Sequence, residues 1–248
     1  MKKTSQPIDN HEQGKATTSI GAGNPFHDIN WQAEQRAFAS ADDLLALALG
    51  HEPRSLLPAF QKRFAQFQRF QIPSTTFTPM MLYSLYVLAA RSGSASLLVC
   101  GVDAGAATAA LAAGAMDGNG SVHLAGSERN DDLAALARTN LALLEMPQPP
   151  EIKTSGSAEL LAKQPACSAD IVFLDSWPED HPALLPAALD ALTPGGLMLV
   201  HDALWERCLP DMERVTSIAE VSGQFETMLT LPLDEMGLWL ARKSEDLT

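Results

Sequence analysis

Apolar and polar positions alternate along this chain in blocks that define strands and helices in turn. Ser96–Cys100 is a short, mostly apolar run that breaks into a glycine-bounded loop, Gly101 to Gly105, and then into the small-residue helical stretch AATAALAAGA. Further apolar runs follow at Ser121–Ala125, at Ala169–Leu174 ending in Asp175, and at Gly196–Val200 ending in His201 and Asp202. Helical patterns separate each run from the next. Short strands without internal alternation, joined by helices, predict right-handed βαβ units and a parallel sheet covered on both faces.

The first hundred residues read differently. Met1 to about Asn24 is rich in Ser, Thr, Gln, Gly and Lys, and so poor in apolar residues that a flexible segment is expected. From Pro25 to about Pro73 the pattern is helical: ADDLLALALG closes at Gly50, a C-cap, and Pro53 is expected to open the next helix. Phe60, Phe64 and Phe67 fall on one stripe of that helix, among Arg54, Lys62, Arg63 and Arg69. Such a stripe either packs on the core or holds substrate, and packing is the simpler outcome. Thr78-Pro79-Met80-Met81 then leads into a helix through Ala90 that packs beside the first strand.

The Gly101–Gly105 loop is the first piece of candidate chemistry. A strand, a turn without side-chain bulk and a helix start form a ligand-binding edge, with Val102 and Asp103 between the glycines and Asp103 expected to project toward a positive group. The 248 residues, 46% of them hydrophobic, suffice for one buried core plus an appendage. A net charge of −13 argues against a nucleic-acid substrate and turns attention to small molecules. No apolar run reaches membrane-spanning length and no signal-peptide core follows Met1-Lys2-Lys3, so a cytoplasmic protein without membrane contact is expected. Cys100, Cys167 and Cys208 form no metal-ligand spacing and leave an odd count, which fits reduced thiols.

LLVCGVDAG, VFLDSWPEDH and LTPGGLMLVHDALW, in this order, together with the closing segment FETMLTLPLDEMGLWLARK, resemble the motifs of class I S-adenosylmethionine-dependent methyltransferases, most closely the small O-methyltransferases of the catechol and caffeoyl-CoA type. The match runs from about Pro79 to Lys243. It implies an α/β fold: a Rossmann-like doubly wound sheet of about seven strands, mostly parallel with an antiparallel C-terminal hairpin. Residues 79–248 would bind S-adenosylmethionine, and residues 25–78 would form a helical appendage or lid that builds much of the substrate pocket. The resemblance also allows a homodimer through these helices. A nicotinamide-binding domain fits less well, since the third glycine of its fingerprint is missing.

The resemblance also assigns roles. Gly101, Val102, Asp103 and Gly105 match the loop around the methionine part of the cofactor. The acid expected at the end of the second strand, which holds the ribose hydroxyls, is replaced by Gly126, leaving Ser127 or Glu128 to reach them from the next positions. Ser157 falls where the family contacts adenine, and Asp175-Ser176-Trp177 repeats the turn whose tryptophan lies beside the adenine. Asp175 and Asp202 match two aspartates that hold magnesium in the catechol branch. Ala203 and Pro178, however, replace the expected asparagine ligand and the lysine base, so these two acids are weak metal candidates and no dedicated metal site is expected. Asp175, His201 and Asp202 are then the candidate catalytic set, with His201 an alternative base.

Three readings follow from this inventory. The first is methyl transfer to a hydroxyl, or an amine, of a small metabolite. The second is an enzyme that cyclises or eliminates the aminobutyryl chain of the cofactor itself, releasing methylthioadenosine. The third is a non-catalytic partner subunit, suggested by the lost ribose acid.

Overall fold

The computed structural model describes residues 24–26 and 29–246. The segment expected to be flexible therefore lies outside the described residues, apart from Asn24, whose side-chain amide donates to the carbonyls of Phe67 and Phe70.

Seven strands, β1 (Ser96–Cys100), β2 (His123–Glu128), β3 (Glu151–Thr154), β4 (Ala169–Leu174), β5 (Leu192–His201), β6 (Phe225–Leu231) and β7 (Leu238–Lys243), form one sheet in the order β3-β2-β1-β4-β5-β7-β6. β1 to β5 are parallel to one another, and β7 runs antiparallel to both β5 and β6. The order reverses direction between β1 and β4, the crevice where open α/β sheets bind ligands.

Alternation along the strands sends successive side chains to opposite faces, and helices cover both. On one face Leu97, Val99, Ile171, Phe173, Leu197 and Leu199 pack with α1 (Trp31–Leu49), α2 (Leu57–Phe67), α3 (Pro79–Arg91), α4 (Ala106–Asn119) and α5 (Asp131–Ala142). On the other face Leu98, Cys100, Val172, Leu174, Met198 and Val200 meet α6 (Ser157–Leu161), α7 (His181–Ala191) and α8 (Leu209–Ser222). Double-sided burial explains why the strand runs are continuously apolar.

The N-terminal helices join the first of these cores. α1 is capped by the Asn30 side chain, which accepts the Ala33 N–H, and ends at Gly50 in the left-handed region as expected. α2 starts at Leu57 with Pro58 in its first turn, so Pro53 lies in the preceding loop and does not open the helix. Phe60, Phe64 and Phe67 are buried, Phe60 and Phe64 against Trp31, Tyr83 and Tyr86 with ring centroids 5.2–6.1 Å apart, which makes the stripe a core surface. At the far side of this cluster Arg63 of α2 pairs with Asp117 of α4 at 2.6 Å, and the Tyr86 hydroxyl donates to the same carboxylate at 2.7 Å.

Candidate active site

A cavity of about 420 Å³ opens at the carboxyl ends of β1, β2, β4 and β5. Of residues 25–78, Thr76 alone among the described ones lines it, because the aromatic faces of α1 and α2 are spent on the core. Gly101, Asp103, Ser127, Glu128, Ser157, Asp175, Ser176, Trp177 and Asp202 all line the cavity. Val102, Gly105 and His201 do not: Val102 and His201 are buried behind the wall, and Gly105 packs on Ala137 and Leu141 while starting α4.

Two close approaches shape the floor. Gly101 adopts φ +92°, and a Cβ there would lie 2.5 Å from the Asp175 carbonyl oxygen, so only glycine lets the ends of β1 and β4 abut. β2 continues three residues beyond the expected strand end, through Gly126 and Ser127 to Glu128, pairing with β1 and β3. This corrects the reading of a missing acid. Gly126 is an interior strand position, glycine because a Cβ would meet Val102 Cγ2 at 2.6 Å, and the acid that ends the strand is Glu128.

Glu128 fastens the two loops together. Its Oε2 accepts the Asp103 backbone N–H and its Oε1 the Asn130 N–H, each at 2.9 Å. Asp103 itself sits in the left-handed region at φ 49°, a conformation that Asp tolerates better than most residues. Further along the wall, the Ser127 and Ser157 hydroxyls lie 3.4 Å apart, and the buried Ser155 and Ser176 hydroxyls make no hydrogen bond within the protein. Buried hydroxyls without a protein partner at a cavity wall suit a polar ligand. Trp177 is exposed at the rim.

At the β4 and β5 ends the carboxylates of Asp175 and Asp202 share one imidazole. His201 Nδ1 is hydrogen-bonded to Asp175 Oδ1 at 2.9 Å and lies 3.2 Å from Asp202 Oδ1, with its ring stacked on Phe77 at 4.3 Å. Burial pulls the His201 pKa down, but the charge and hydrogen bond of Asp175, then Asp202 and Asp234, outweigh it and hold the imidazole above its ordinary value. These three residues are the one cluster of such groups among the described residues whose ligand atoms converge, all within 4.8 Å. They fit a metal ion poorly as arranged. Nδ1 is already engaged with the carboxylates, Ala203 is a buried methyl, and Pro178 opens a one-turn 3-10 helix without a donor.

Residues that sequence reasoning did not single out complete the surroundings. His181, buried at the start of α7, lies against Asp175 and the Ser176 backbone, and burial lowers its pKa. Arg129 lines the cavity and is paired with Asp180 at 2.6 Å. Trp205, Arg207, Cys208 and Asp211 form the wall beyond β5. Burial, then Asp202, Asp211 and Glu179, push the Cys208 thiol up to about 12. The Asp-His-Pro and Trp-Glu-Arg-Cys sequences after the two strand ends were the only signals for these residues.

The sheet order and the closing antiparallel strand make a Rossmann-like fold that the chain shares with solved methyltransferases. Among solved structures, an O-methyltransferase from Bacillus cereus in complex with S-adenosylhomocysteine (SAH) is similar at a TM-score of 0.59 and 18% identity, over 84% of this chain and 99% of that one. TomG of Streptomyces achromogenes, an O-methyltransferase of tomaymycin synthesis solved with S-adenosylmethionine, gives 0.58 and 19% over 85% and 99%. The SAH-bound methyltransferase PaMTH1 of Podospora anserina gives 0.60 and 13% over 88% and 97%. No family model and no curated protein matches the chain. The resemblance seen in the motifs thus extends to the whole fold. No helix among the described residues is long and apolar enough to cross a membrane.

Proposed function

We propose that the protein is an S-adenosylmethionine-dependent enzyme that transfers a methyl group to a hydroxyl, or an amine, of a small molecule. The observation that carries this reading is the Glu128 carboxylate at the end of β2, hydrogen-bonded to the Asp103 amide so that the β1 loop and the β2 end form one cradle beside Ser155, Ser157 and Ser176. The cradle fits the cofactor: Glu128 holds the ribose hydroxyls, Ser157 and Trp177 flank the adenine, and the Asp103 carboxylate faces the ammonium. Bound there, S-adenosylmethionine supplies a methyl group already activated on a sulfonium, so alignment and removal of one proton are what remains for the protein. Asp175 and Asp202 stand next along the cavity, at the ends of β4 and β5. Asp202 accepts the acceptor's hydroxyl proton, Asp175 orients the oxygen, and His201 behind them fixes both carboxylates. On this reading Glu128 supplies the ribose acid, the loss of which would favour a non-catalytic subunit.

Mass spectrometry of products tests the proposal. Incubation with S-adenosylmethionine and a panel of hydroxylated and aminated small molecules is expected to yield SAH together with a methylated acceptor. Methylthioadenosine formed with no acceptor present would replace methyl transfer by the intramolecular reaction.

A further inference from the structure

Three loops wall the cavity on the side assigned to the adenine: residues 128–130 after β2, 155–157 after β3 and 175–179 after β4. One side chain joins them. Arg129 lines the cavity, its Nε would meet a Cβ built on Gly156 at 3.6 Å, and its Nη2 donates to Asp180 Oδ2 at 2.6 Å. β2 and β4 flank β1, so this ion pair links loops that rise from strands two spacings apart, roughly 10 Å. The loops it ties are those that carry Ser157 and Trp177.

Both partners stand on anchored backbone. Glu128, next to Arg129, accepts two backbone N–H groups at 2.9 Å, and the Asp180 N–H donates to the Trp177 carbonyl at 2.9 Å. The Asp180 carboxylate does not cap α7, which leaves it to Arg129. At 53% and 33% side-chain exposure the pair is partly screened, and rotation of the Arg129 side chain alone can open it while the loops stay in place. A bond of that strength adds little to folding but can set the rate at which a ligand leaves. We propose, resting on the cofactor assignment above, that Arg129 and Asp180 form a clasp over the adenine end of the cofactor, closed while it is bound and opened for SAH to depart.

Surface plasmon resonance on the immobilised full-length chain, with SAH as the probe, reads the release rate. At low salt Arg129→Gln and Asp180→Asn are each expected to speed SAH release about two- to fivefold, the range of a half-exposed ion pair, with melting temperatures close to the parent's. The double variant should release SAH no faster than either single, because each substitution alone already opens the clasp. Salt supplies an arm that needs no variant: high salt should bring the parent's release rate up to that of the variants. Release at the parent's rate or slower in both single variants, factors that multiply in the double variant, faster release only in variants that melt well below the parent, or a parent rate indifferent to salt would overturn the proposal and leave the methyltransferase reading standing. Folded parent protein that binds no SAH would remove that reading and the proposal with it.

Discussion

Replacing Glu128 by Gln deletes a charge and turns one acceptor oxygen into a donor. Oε2 and Oε1 each accept a backbone N–H at 2.9 Å, from Asp103 and from Asn130, so in the variant one of those N–H groups faces an amide NH₂. A hydrogen bond to a charged group contributes about 1.5–3 kcal/mol, and the half-buried position of Glu128 favours the lower end. The loss divides into two measurable parts. Loosening of the Gly101–Gly105 loop should lower the melting temperature by about 2–6 °C, given roughly 2–4 °C per kcal/mol in a domain of this size. Loss of the ribose contact should weaken SAH binding about tenfold to a hundredfold. Titration calorimetry and thermal unfolding on the same preparation read both. A variant that melts earlier yet binds SAH as the parent does would refute the assignment, and Glu128 would then only tie the loop to the strand.

Three further outcomes follow from the geometry. Turnover is expected to survive EDTA, because His201 Nδ1 already occupies the space between Asp175 and Asp202 and Ala203 offers no oxygen; loss of activity that magnesium restores would contradict this. Gly126→Ala should cost about 1–3 kcal/mol, since its Cβ would meet Val102 Cγ2 at 2.6 Å, and should weaken SAH binding by displacing the loop; a melting temperature and an affinity both equal to the parent's would oppose it. Partial burial pushes the Asp117 carboxyl up, but the hydrogen bonds of Arg63 and Tyr86 outweigh it and hold its pKa below the usual carboxylate range, so the contribution of this carboxylate to stability is present above that range and lost as pH falls through the lowered value. Asp117→Asn should accordingly flatten the acid limb of a stability-against-pH curve measured by urea unfolding, and an unchanged acid limb would count against the Arg63–Asp117–Tyr86 link.

Strands buried on both faces are readable as apolar runs, and β1, β4 and β5 stand out in the sequence for that reason. β3 does not. Its four residues, Glu151–Thr154, bury only Ile152 at the sheet edge and so carry no apolar run. The end of β2 was hidden by the same logic: Gly126, Ser127 and Glu128 carry no apolar run, yet pairing with both neighbours extends the strand through them. The position of Pro53 was misleading because Pro58, five residues on, has the flanking apolar pattern that α2 needs. At the site, strand-end residues such as Asp175 and Asp202 were legible from their place after apolar runs. Trp205, Cys208 and Asp211 were not, since their approach to the cavity depends on how α8 packs against the 3-10 turn at Pro178–Asp180.

The central claim is that the cavity over β1, β2 and β4 binds S-adenosylmethionine, and titration of the folded parent protein with SAH and with NAD tests it most directly. The account predicts saturable one-to-one binding of SAH, a rise in melting temperature that grows with SAH concentration, and no saturable response to NAD. Well-folded protein giving neither heat nor thermal shift with SAH, or binding NAD in its place, would contradict it.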